Sequence, residues 1–476
     1  MSLETLVTGK SFLVLGLGVT GNATVKALEQ AGAGVFVWDD RTKPEDTEFC
    51  MASPLDGKTK HLIPSDLTAL VMSPGIPHTF PEPHPVAAWA KENKLPIIGD
   101  IELLMLSQPD RNFIGITGTN GKSTTTALVA HILETAKINY AVGGNLGPAA
   151  LGLTNPGAGG WYVLEMSSYQ LELLDQAQFD VSAFLNLTPD HLERHGDLAG
   201  YTKAKFQLLS HLKSDGHAIV CVDQPVGRGF VQKLQQTSEA EICRVATAED
   251  QKASADIFAG NGELVVNTKS VFDLKRLERF PGLHMWQNFA IAYGICAAAG
   301  LDDQAITTGM LSYGGLEHRQ EYVGQIDNIE FVNDSKGTNP EASEVAIKSY
   351  DNIYWIVGGQ AKAEGLKPLL YLADRIKGVF LIGASSDRFA RELEGVMPFE
   401  RCETLDVAVI AAYNQAVLDT KSADKAANLA SLHNPVILLS PACASWDQFR
   451  SFEHRGDDFK AYFETLANAK TTENDI

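Results

Sequence analysis

The residues Gly118 to Thr124, GTNGKST, combine glycines, a lysine and hydroxyl groups in a spacing that suits a bound phosphate chain. An apolar run precedes them and a stretch rich in Thr, Ala and Leu follows, which predicts a strand, a tight loop and a helix. Glycines let backbone N–H groups converge on phosphate oxygens, and the amino end of the helix adds a favourable field. Lys122 would reach the outer phosphates, and Ser123 or Thr124 would ligate Mg²⁺.

The spacing departs from the Walker pattern, which has four residues between its first glycine and the Gly-Lys pair. Here Gly115 leaves five residues and Gly118 leaves two. A glycine-rich turn without any ligand is the alternative. We nevertheless predict an ATP site formed by Gly118, Thr119, Asn120, Gly121, Lys122, Ser123 and Thr124.

Carboxylates and an imidazole follow two later apolar runs. Glu165 ends the run WYVLE, and NLTPDHLERHG places Asp190 and His191 just beyond another run. Oxygen ligands with one imidazole suit a Mg²⁺ ion that is held partly by substrate phosphates. In the alternative interpretation, Glu165 pairs with a lysine and His191 caps a helix.

A second glycine-rich loop lies near the amino terminus. Residues 12–21, FLVLGLGVTG, contain G-x-G-x-x-G, and the next apolar run ends in Asp39 and Asp40. By itself this pattern favours NAD binding. No hydride-transfer site is recognisable downstream, whereas an ATP site is. A nicotinamide-dependent oxidoreductase and a nucleotide-binding regulator without turnover are the alternatives from other functional classes.

Three blocks of short apolar runs alternate with helical stretches, a rhythm that predicts parallel sheets with crossover helices. We therefore expect an α/β protein with three domains: a Rossmann-like N-terminal domain (1–108), a central P-loop-type ATPase domain with a mostly parallel sheet (109–314) and a Rossmann-like C-terminal α/β domain (315–476). The predicted strands are 12–16, 35–38, 69–73, 113–118, 140–143, 161–165, 181–187, 218–222, 329–333, 353–358, 379–383 and 436–440.

Composition narrows the class of protein. The chain has 476 residues, 45% hydrophobic residues and a formal net charge of -20, which argues against wrapping nucleic acid or coating an anionic membrane. The longest early apolar run is too short to span a bilayer. The six cysteines are scattered without a C-x-x-C pair, which suits a reducing compartment. We expect a cytoplasmic protein, and a monomer.

The order of several motifs resembles the Mur ligase family of ATP-dependent amide-forming enzymes in peptidoglycan precursor synthesis. The motifs are TGTNGKST, GGNLG, EMSSYQLE, NLTPDHLERHG, EHR and NDSKGTNP, and the tail LLSPACASWDQF resembles members that add D-glutamate. The resemblance implies UDP-N-acetylmuramoyl-L-alanine and D-glutamate as substrates, activation through an acyl phosphate, and Mg²⁺. A relative that uses another amino acid and a folate polyglutamate-type ligase are the close rivals.

The resemblance also implies residue roles. The first domain would bind the uridine diphosphate part through Gly16, Leu17, Gly18, Asp39, Asp40, Arg41, Ser73 and Gly75, and Asn145 would bind the substrate. Lys122, Glu165, His191 and Lys205 would be catalytic. Ser123, Glu165, His191 and a carbamylated Lys205 would hold metal, with Lys203 as the second candidate for carbamylation.

The third domain would bind the amino acid and close on ATP. The resemblance implies nucleotide contacts from Asn288, Arg319 and Asp334, and D-glutamate contacts from Lys336, Thr338, Lys362, Ser445 and Phe452. Two departures from the family pattern stand out. Met285 replaces the first Asn of a segment that commonly reads H-N-x-x-N, and Gln360-Ala361 replaces a more usual acidic-Gly pair.

Overall fold

The computed structural model describes residues 2–277, 279–280, 282–361, 365–425 and 434–474. The chain divides into two compact units, Met1–Tyr313 and Gly314–Ile476. Helices alternate with mostly parallel strands, so the predicted α/β class is confirmed. In the described residues, no helix combines the length and the apolar character that a membrane crossing requires.

The first sheet of unit 1 is fully parallel with strand order β2-β1-β3-β4. Chain order reverses between β1 and β3, which makes the loops after these two strands neighbours. The elements are α1 (Leu3–Val7), β1 (Ser11–Leu15), α2 (Val19–Gln30), β2 (Gly34–Trp38), 3₁₀ turns at Pro44–Asp46 and Lys60–Leu62, β3 (Ala69–Met72), α3 (Pro85–Glu92), β4 (Ile97–Ile98) and α4 (Asp100–Ser107).

The second sheet of unit 1 has nine strands in the order β13-β12-β11-β10-β9-β8-β5-β7-β6. All neighbours from β6 to β11 are parallel, and β12 and β13 add an antiparallel edge. The strands are β5 (Asn112–Thr117), β6 (Tyr140–Gly144), β7 (Trp161–Glu165), β8 (Phe179–Phe184), β9 (Leu212–Cys221), β10 (Glu241–Ala246), β11 (Ile257–Gly260), β12 (Glu263–Val266) and β13 (Lys269–Asp273).

Helices cover both faces of this nine-stranded sheet. One buried core includes residues of α5, α10 and α11, and the other includes residues of α4, α8 and α9. Double coverage explains why the central strands read as continuous apolar runs. The helices are α5 (Lys122–Thr135), α6 (Ser168–Leu171), α7 (Leu192–His195), α8 (Leu198–Ser210), α9 (Pro225–Thr237), α10 (Leu283–Ala298) and α11 (Asp303–Ser312), with 3₁₀ turns at Ala150–Gly152, Glu249–Ser254 and Leu274–Arg276.

Helix α4 joins the two sheets of unit 1. Its apolar side chains enter the cores of both sheets. Two buried carboxylates cap loops beside the second sheet: Asp100 accepts from Ala150 N (3.1 Å), and Glu102 accepts from Gln176 N (2.8 Å) and Ala177 N (3.0 Å). Because these acids lie on a buried helix, they hold the first sheet against the second.

Unit 2 contains a six-stranded sheet of order β14-β15-β20-β16-β18-β19, parallel except for β14, and a two-stranded ribbon β17-β21. Buried cores lie on both faces of the large sheet. The elements are β14 (Glu321–Ile326), β15 (Ile329–Asn333), α12 (Pro340–Ser349), β16 (Ile353–Gly358), β17 (Gln360–Ala361), a 3₁₀ turn at Lys367–Arg375, β18 (Ile376–Ile382), α13 (Ser386–Leu393), β19 (Phe399–Glu403), α14 (Leu405–Lys425), β20 (Val436–Leu439), β21 (Cys443–Ala444) and α15 (Phe452–Asn474).

Each of the twelve predicted runs overlaps a strand, and these predictions are confirmed. Most of the strands that were missed are short or lie near sheet edges, where burial does not demand an apolar run. The six-residue β10 lies inside the sheet, and only two of its residues are buried. The edge strand β19 (FERCE) has one buried residue, and β13 (KSVFD) likewise has one. The three-domain division and its boundaries stay a prediction.

Asp100 generates a prediction about stability. Complete burial raises the pKa of its carboxyl to about 6. The neutral acid is therefore favoured in the folded state, and this contribution is lost as pH rises from 3.8 through about 6. We expect Asp100→Asn to be more stable than the parent by about 3 kcal/mol at pH 8 and by about 1 kcal/mol at pH 4.5.

Urea unfolding at the two pH values measures this difference. The exposed Asp66 provides a matched control, since Asp66→Asn removes a charge that is not buried. A gain for Asp100→Asn of the same size at both pH values would contradict the assigned cause.

Candidate active site

The predicted phosphate loop connects β5 to α5 at the carboxyl edge of the nine-stranded sheet. Gly121 has φ = 83°, in the left-handed region, and precedes the first helical residue, Lys122. A Cβ atom at Gly121 would collide with Asn288 Oδ1, and one at Gly118 would lie 2.9 Å from Leu185 Cβ. Both positions therefore require glycine. The strand–loop–helix arrangement predicted from the sequence is confirmed.

The Lys122 side chain folds over the loop that precedes it. Its Nζ donates to the carbonyl oxygens of Gly118 (2.9 Å) and Thr119 (2.8 Å). Ser123 is buried and Thr124 half-buried in the first turn of α5. The ammonium group thus lies where phosphates held by the loop amides would meet it.

Asn186 holds the phosphate loop from the end of β8. Its Oδ1 accepts from Asn120 N (2.9 Å), its Nδ2 donates to Asn120 O (3.2 Å), and its own carbonyl accepts from Thr119 N (3.0 Å). Thr188 N donates to Thr119 Oγ1 (3.0 Å). These bonds fix the backbone of the loop, and sequence reasoning assigned Asn186 no role.

A chain of polar side chains supports Asn186. Its Nδ2 also donates to Gln287 Oε1 (3.2 Å), and Gln287 Nε2 donates to Asp223 Oδ2 (3.2 Å). Burial alone would raise the pKa of Asp223, but N–H groups of Ala248 and Thr247 and the Thr247 hydroxyl outweigh it and lower the pKa. The chain therefore ends on a charged carboxylate. Gln287 and Asp223 were missed because only folding brings the ends of β8, β9 and α10 together.

Although its nucleotide contact stays a prediction, Asn288 lies beside the loop. It is buried, and its Oδ1 occupies the space that a side chain at Gly121 would need. Its Nδ2 donates to Met285 Sδ at 3.8 Å. The thioether of Met285 thus serves as a weak acceptor next to Asn288, at the position where the family pattern commonly has an amide.

Glu165 ends β7 next to β5 and is 2% exposed. Its Oε1 accepts from Asn145 Nδ2 at 2.6 Å, whereas Oε2 is buried without a hydrogen-bond partner. A buried carboxylate oxygen without a donor is costly unless it binds a cation or a ligand. In this structure Asn145 orients Glu165.

Lys205 is buried in α8 beneath the phosphate loop. Its Nζ donates to Gly118 O (2.7 Å) and Thr117 Oγ1 (3.3 Å) and lies 4.8 Å from the centre of the Tyr201 ring. Burial, reinforced by the charge of Lys122, lowers the pKa of Lys205 well below its ordinary value. Lys203, in contrast, is exposed. Of the two lysines, only Lys205 lies against the loop.

Tyr201 packs one helical turn before Lys205 and closes the same space. Its hydroxyl lies 3.3 Å from Thr119 Oγ1, and burial raises its pKa to about 12. It therefore stays a neutral phenol at physiological pH. Sequence reasoning assigned Tyr201 no role.

His191 occupies the N-cap position of the short helix α7, but its side chain makes no capping hydrogen bond. Its φ of 53° is uncommon outside glycine and often marks functional sites. Its ring centre lies 5.0 Å from that of Tyr169, and its nitrogens lie 3.5 Å from an Asp190 oxygen and 3.7 Å from a Glu193 oxygen. The side chain is 44% exposed, so a ligand can reach it.

Arg194, at the other end of α7, connects the two sheets of unit 1. It is buried, lies 3.2 Å from Glu172 Oε2, and reaches Phe80 O (3.3 Å) and His78 Nδ1 (3.3 Å) after β3. Burial alone would raise the pKa of Glu172. A hydrogen bond from His195 and the charge of Arg194 outweigh burial and keep this pKa below its ordinary value. The helix that presents His191 is thus tied to the first sheet.

The first glycine-rich loop has the geometry of a dinucleotide-binding turn. Gly16 has φ = 93°, and Ser73 Oγ donates to its carbonyl at 3.0 Å. A Cβ atom at Gly21 would collide with the Gly16 carbonyl, so the third glycine lets α2 approach the turn. Gly18 is the N-cap residue of α2. The loop therefore leaves room for phosphates at the amino end of this helix.

The acids after β2 differ in their surroundings. Asp39 accepts from the backbone N–H groups of Leu17 (2.8 Å), Arg41 (2.8 Å) and Thr42 (2.9 Å), which orders both loops. Asp40 is exposed and accepts from His84 Nε2 (3.0 Å). Arg41 is exposed, and Gly75 has open space at its Cβ position. Asp39 therefore organises the loops, whereas Asp40 and Arg41 remain accessible.

Unit 2 carries the rest of the predicted nucleotide set. Asp334, at the end of β15, is buried, accepts from Ser440 Oγ (2.6 Å) and lies near the charge of Arg319. Burial raises the pKa of Asp334 to about 7 against these lowering influences. This carboxyl is therefore poised between its neutral and charged forms at physiological pH.

The predicted D-glutamate residues lie in three segments of unit 2. Lys336 Nζ is 5.8 Å from the centre of the Phe452 ring, and Thr338 N donates to Lys336 O (2.8 Å). Ser445 is 2% exposed and follows β21. Lys362 lies outside the described residues. The structure thus brings Lys336 close to Phe452.

The donor set at the phosphate loop fits Mg²⁺. In the part of the chain that the structure describes, no three His, Cys, Asp or Glu side chains converge tightly enough to hold a metal unaided. One buried carboxylate oxygen without a partner, on Glu165, and a hydroxyl on Ser123 lie near a loop suited to phosphates. Mg²⁺ is commonly held in this way, by few protein ligands together with substrate oxygens.

Comparisons with known proteins agree with this geometry. Residues 10–99 match the family model "Mur ligase MurD-like, N-terminal domain", and residues 116–296 match "Mur ligase middle domain". The UDP-N-acetylmuramoylalanine–D-glutamate ligase of Paramagnetospirillum magneticum is 45% identical over 96% of both chains, and that of Rhodospirillum rubrum is 42% identical over 97% of this chain and 96% of the relative.

A solved structure shares the fold. The MurF ligase from Thermotoga maritima, in complex with ADP, superposes with a TM-score of 0.54 and 15% identity, covering 98% of this chain and 97% of that one. At this identity the likeness concerns the fold alone. The relatives near 40% identity carry the assignment to a family.

The hydrogen bonds between Asn186 and Asn120, here called the Asn186 clamp, generate a prediction. Asn186→Ala removes two hydrogen bonds to Asn120 and leaves Gln287 Oε1 without this donor. We expect ATP binding to weaken at least about tenfold, because the loop loses its bound conformation. Isothermal titration with Mg-ATP measures this effect.

Asn155→Ala is the matched control. Asn155 is an exposed asparagine that also accepts from a backbone N–H, Gly157 N at 2.9 Å, but lies in the loop before β7. If Asn186→Ala bound Mg-ATP as tightly as this control, the clamp would have no part in nucleotide binding.

Proposed function

This chain belongs to the Mur ligase family, in the group of UDP-N-acetylmuramoylalanine–D-glutamate ligases, and on that premise we propose how its residues join D-glutamate to UDP-N-acetylmuramoyl-L-alanine at the expense of ATP. The observation that carries the proposal is the arrangement at residues 118–124. There a glycine loop, the Lys122 ammonium and the buried Lys205 meet within hydrogen-bonding distance of the Gly118 carbonyl.

The reaction needs an activated carboxyl group, because oxide is a poor leaving group. Transfer of the γ-phosphoryl group from ATP to the terminal carboxylate of the UDP-substrate gives an acyl phosphate and ADP. The amine of D-glutamate then attacks the carbonyl carbon, and the tetrahedral intermediate expels phosphate to leave the amide. The protein mainly positions the reactants and neutralises charge.

Lys122 and the loop amides neutralise the triphosphate. Two carbonyl oxygens now accept from Lys122 Nζ, and exchanging them for phosphate oxygens would create charge-assisted hydrogen bonds. Negative charge on the γ-phosphate repels the incoming carboxylate, so a cation at this position lowers the barrier to transfer. Asn288, Arg319 and Asp334 complete the nucleotide set in this proposal.

Mg²⁺ would be held by Ser123, Glu165, His191 and a carbamate on Lys205, together with substrate oxygens. When bound, the ion supplies positive charge that neutralises the phosphoryl group and the substrate carboxylate. The orphaned Glu165 Oε2 and the accessible His191 ring support this set. Asn145 keeps Glu165 oriented, and in the proposal it also donates to the UDP-substrate.

Carbamylation of Lys205 is supported by its surroundings. The reaction adds CO₂ to a neutral amine and releases one proton, so a protonated lysine cannot undergo it. Burial and the charge of Lys122 depress the pKa of Lys205, which favours the neutral amine. The product is a carboxylate, and its charge would balance that of Lys122.

The remaining proposed roles belong to residues of the first glycine-rich loop and of unit 2. The UDP moiety would bind at Gly16, Leu17, Gly18, Ser73 and Gly75, with Asp40 and Arg41 accessible and Asp39 ordering the loop. D-glutamate would bind at Lys336, Thr338, Ser445 and Phe452, and at Lys362, which lies outside the described residues. That residues 315–476 close on ATP stays a prediction.

Localisation and oligomeric state also stay predictions. The six cysteines are all unpaired, which agrees with a reducing compartment such as the cytoplasm. A monomer is proposed. The nicotinamide alternative predicts tight NADH binding, and the regulator alternative predicts ATP affinity without substrate-dependent ADP formation. We expect neither.

The activity itself is the first test. Purified protein with Mg-ATP and UDP-N-acetylmuramoyl-L-alanine should release phosphate when D-glutamate is added, and not with L-glutamate or lysine. Lys122→Ala should lose at least about 100-fold in turnover, because it removes a cation from the transferring phosphate. Circular dichroism should be unchanged, since Lys122 is only half-buried.

Two outcomes would contradict this assignment. Phosphate release only with L-glutamate or lysine would assign another amino acid. Near-normal turnover of Lys122→Ala would remove the proposed role of the loop.

Lys205 generates a second prediction. Protein equilibrated with ¹³C-bicarbonate should show a carbamate carbon signal by NMR, because the buried amine is neutral enough to react. Lys205→Arg should lose the signal, and Lys203→Arg, which changes an exposed lysine two residues away, should keep it. A signal that survives in Lys205→Arg, or none in the parent protein, would show that Lys205 is not the modified residue.

A further inference from the structure

Arg455 is a completely buried guanidinium in unit 2, on the first turns of α15. Its Nε donates to Ser335 Oγ (2.9 Å), and its Nη2 donates to Ser335 O (2.8 Å) and Cys443 O (3.2 Å). Its Nη1 is buried and makes no hydrogen bond to any part of the chain that the structure describes. One donor of a buried cation is therefore unsatisfied.

The described residues compensate the charge of Arg455 only weakly. Across the described ranges of the chain, no carboxylate oxygen lies within ion-pair distance of it. Burial lowers its pKa to about 10, while Asp447 and Asp334 act on it only from farther away. It is still a cation at physiological pH. A buried cation without a counter-charge is strongly disfavoured unless function requires it.

The contacts of Arg455 join the segments that carry the proposed amino-acid site. Ser335 directly precedes Lys336, and its Oγ donates to the carbonyl of Phe452 at 2.8 Å. Cys443 lies two residues before Ser445 and pairs with Ala361 in the β17-β21 ribbon.

The remaining described segment near Arg455 is the turn before β17. A Cβ atom at Gly359 would lie 2.4 Å from Ala444 O and 3.3 Å from Arg455 Nη1, so glycine lets the turn pass close to β21, with the guanidinium beside it. Arg455 therefore donates hydrogen bonds to the Ser335 and Cys443 segments and lies beside the turn at Gly359.

We propose that Arg455 is a positioning residue for the amino-acid substrate, and that its buried charge also favours an acidic substrate over a neutral one. This inference rests on the proposed function. D-glutamate has two carboxylates and one ammonium group, so its net charge is negative. A fixed cation in a region of low dielectric stabilises such a substrate over several ångströms.

The hydrogen bonds that the Arg455 guanidinium donates and the charge that it carries make separable contributions. The guanidinium donates to the Ser335 and Cys443 carbonyls, so loss of these hydrogen bonds should weaken the binding of any amino acid. The charge acts on the substrate side-chain carboxylate, so its loss should affect D-glutamate more than D-glutamine, the neutral amide of the same size. A purely structural role would not change this preference.

The experiment compares Arg455→Gln and Arg455→Lys in the full-length protein, with D-glutamate and D-glutamine as substrates and phosphate release as the readout. For Arg455→Gln we expect the KM for D-glutamate to rise at least about tenfold, with the KM for ATP and for the UDP-substrate within about twofold. The ratio of kcat/KM for D-glutamate over D-glutamine should fall by about tenfold. Arg455→Lys should raise the KM for both amino acids and keep that ratio.

Arg375→Gln is the matched control. Arg375 belongs to the same unit, donates to Tyr350 O (3.0 Å) and pairs with Asp351, outside the proposed site. It should leave all three KM values unchanged. An equal rise in the KM values of all three substrates in Arg455→Gln, or an unchanged preference for D-glutamate, would overturn the proposal.

The test remains decisive if Arg455→Gln does not fold. Arg455→Lys retains the charge, so a loss of the preference for D-glutamate in that variant would overturn the proposed role of the charge. Failure of the proposed function can be distinguished from failure of the Arg455 proposal. If the proposed function were wrong, the unmodified protein would release no phosphate with D-glutamate.

Discussion

The proposed active site depends on a loop whose backbone must stay open enough to surround phosphates and yet keep one conformation. Gly118 and Gly121 leave no room for side chains, and Asn186 fixes the segment between them through both backbone groups of Asn120. An amide can do this because it is at once donor and acceptor. The Gln287–Asp223 chain then keeps that amide oriented. Flexible glycines thus become a preorganised site.

Charge placement is the second constraint. Lys122 and Lys205 both donate to the Gly118 carbonyl, which brings two amines close together above a parallel sheet. Burial and the neighbouring cation together push Lys205 toward its neutral form. The nearby Glu165 has an oxygen without a donor. A neutral amine here could react with CO₂, and the carboxylate oxygen without a donor could bind a divalent cation.

Unit 2 uses buried charge in a related way. Asp334, with a pKa near 7, and Arg455, with a pKa near 10, are both displaced toward neutrality by burial. Neither group forms an ion pair with the other, and each is fastened by hydrogen bonds to hydroxyl or carbonyl groups. Arg455 keeps much of its field for a ligand, because Asp447 and Asp334 act on it only from farther away.

The sequence by itself determined the α/β class, the twelve principal strands and the glycine loop between β5 and α5, because apolar periodicity and glycine spacing are local properties. The tertiary structure decided which distant side chains meet. Asn186, Gln287 and Asp223 lie in separate segments, and Arg455 is far in sequence from Ser335, so no spacing rule could pair them. The burial that shifts Lys205 likewise arises only when α8 packs beneath the loop. Hydrogen bonding and desolvation depend on three-dimensional proximity, which a linear pattern does not specify.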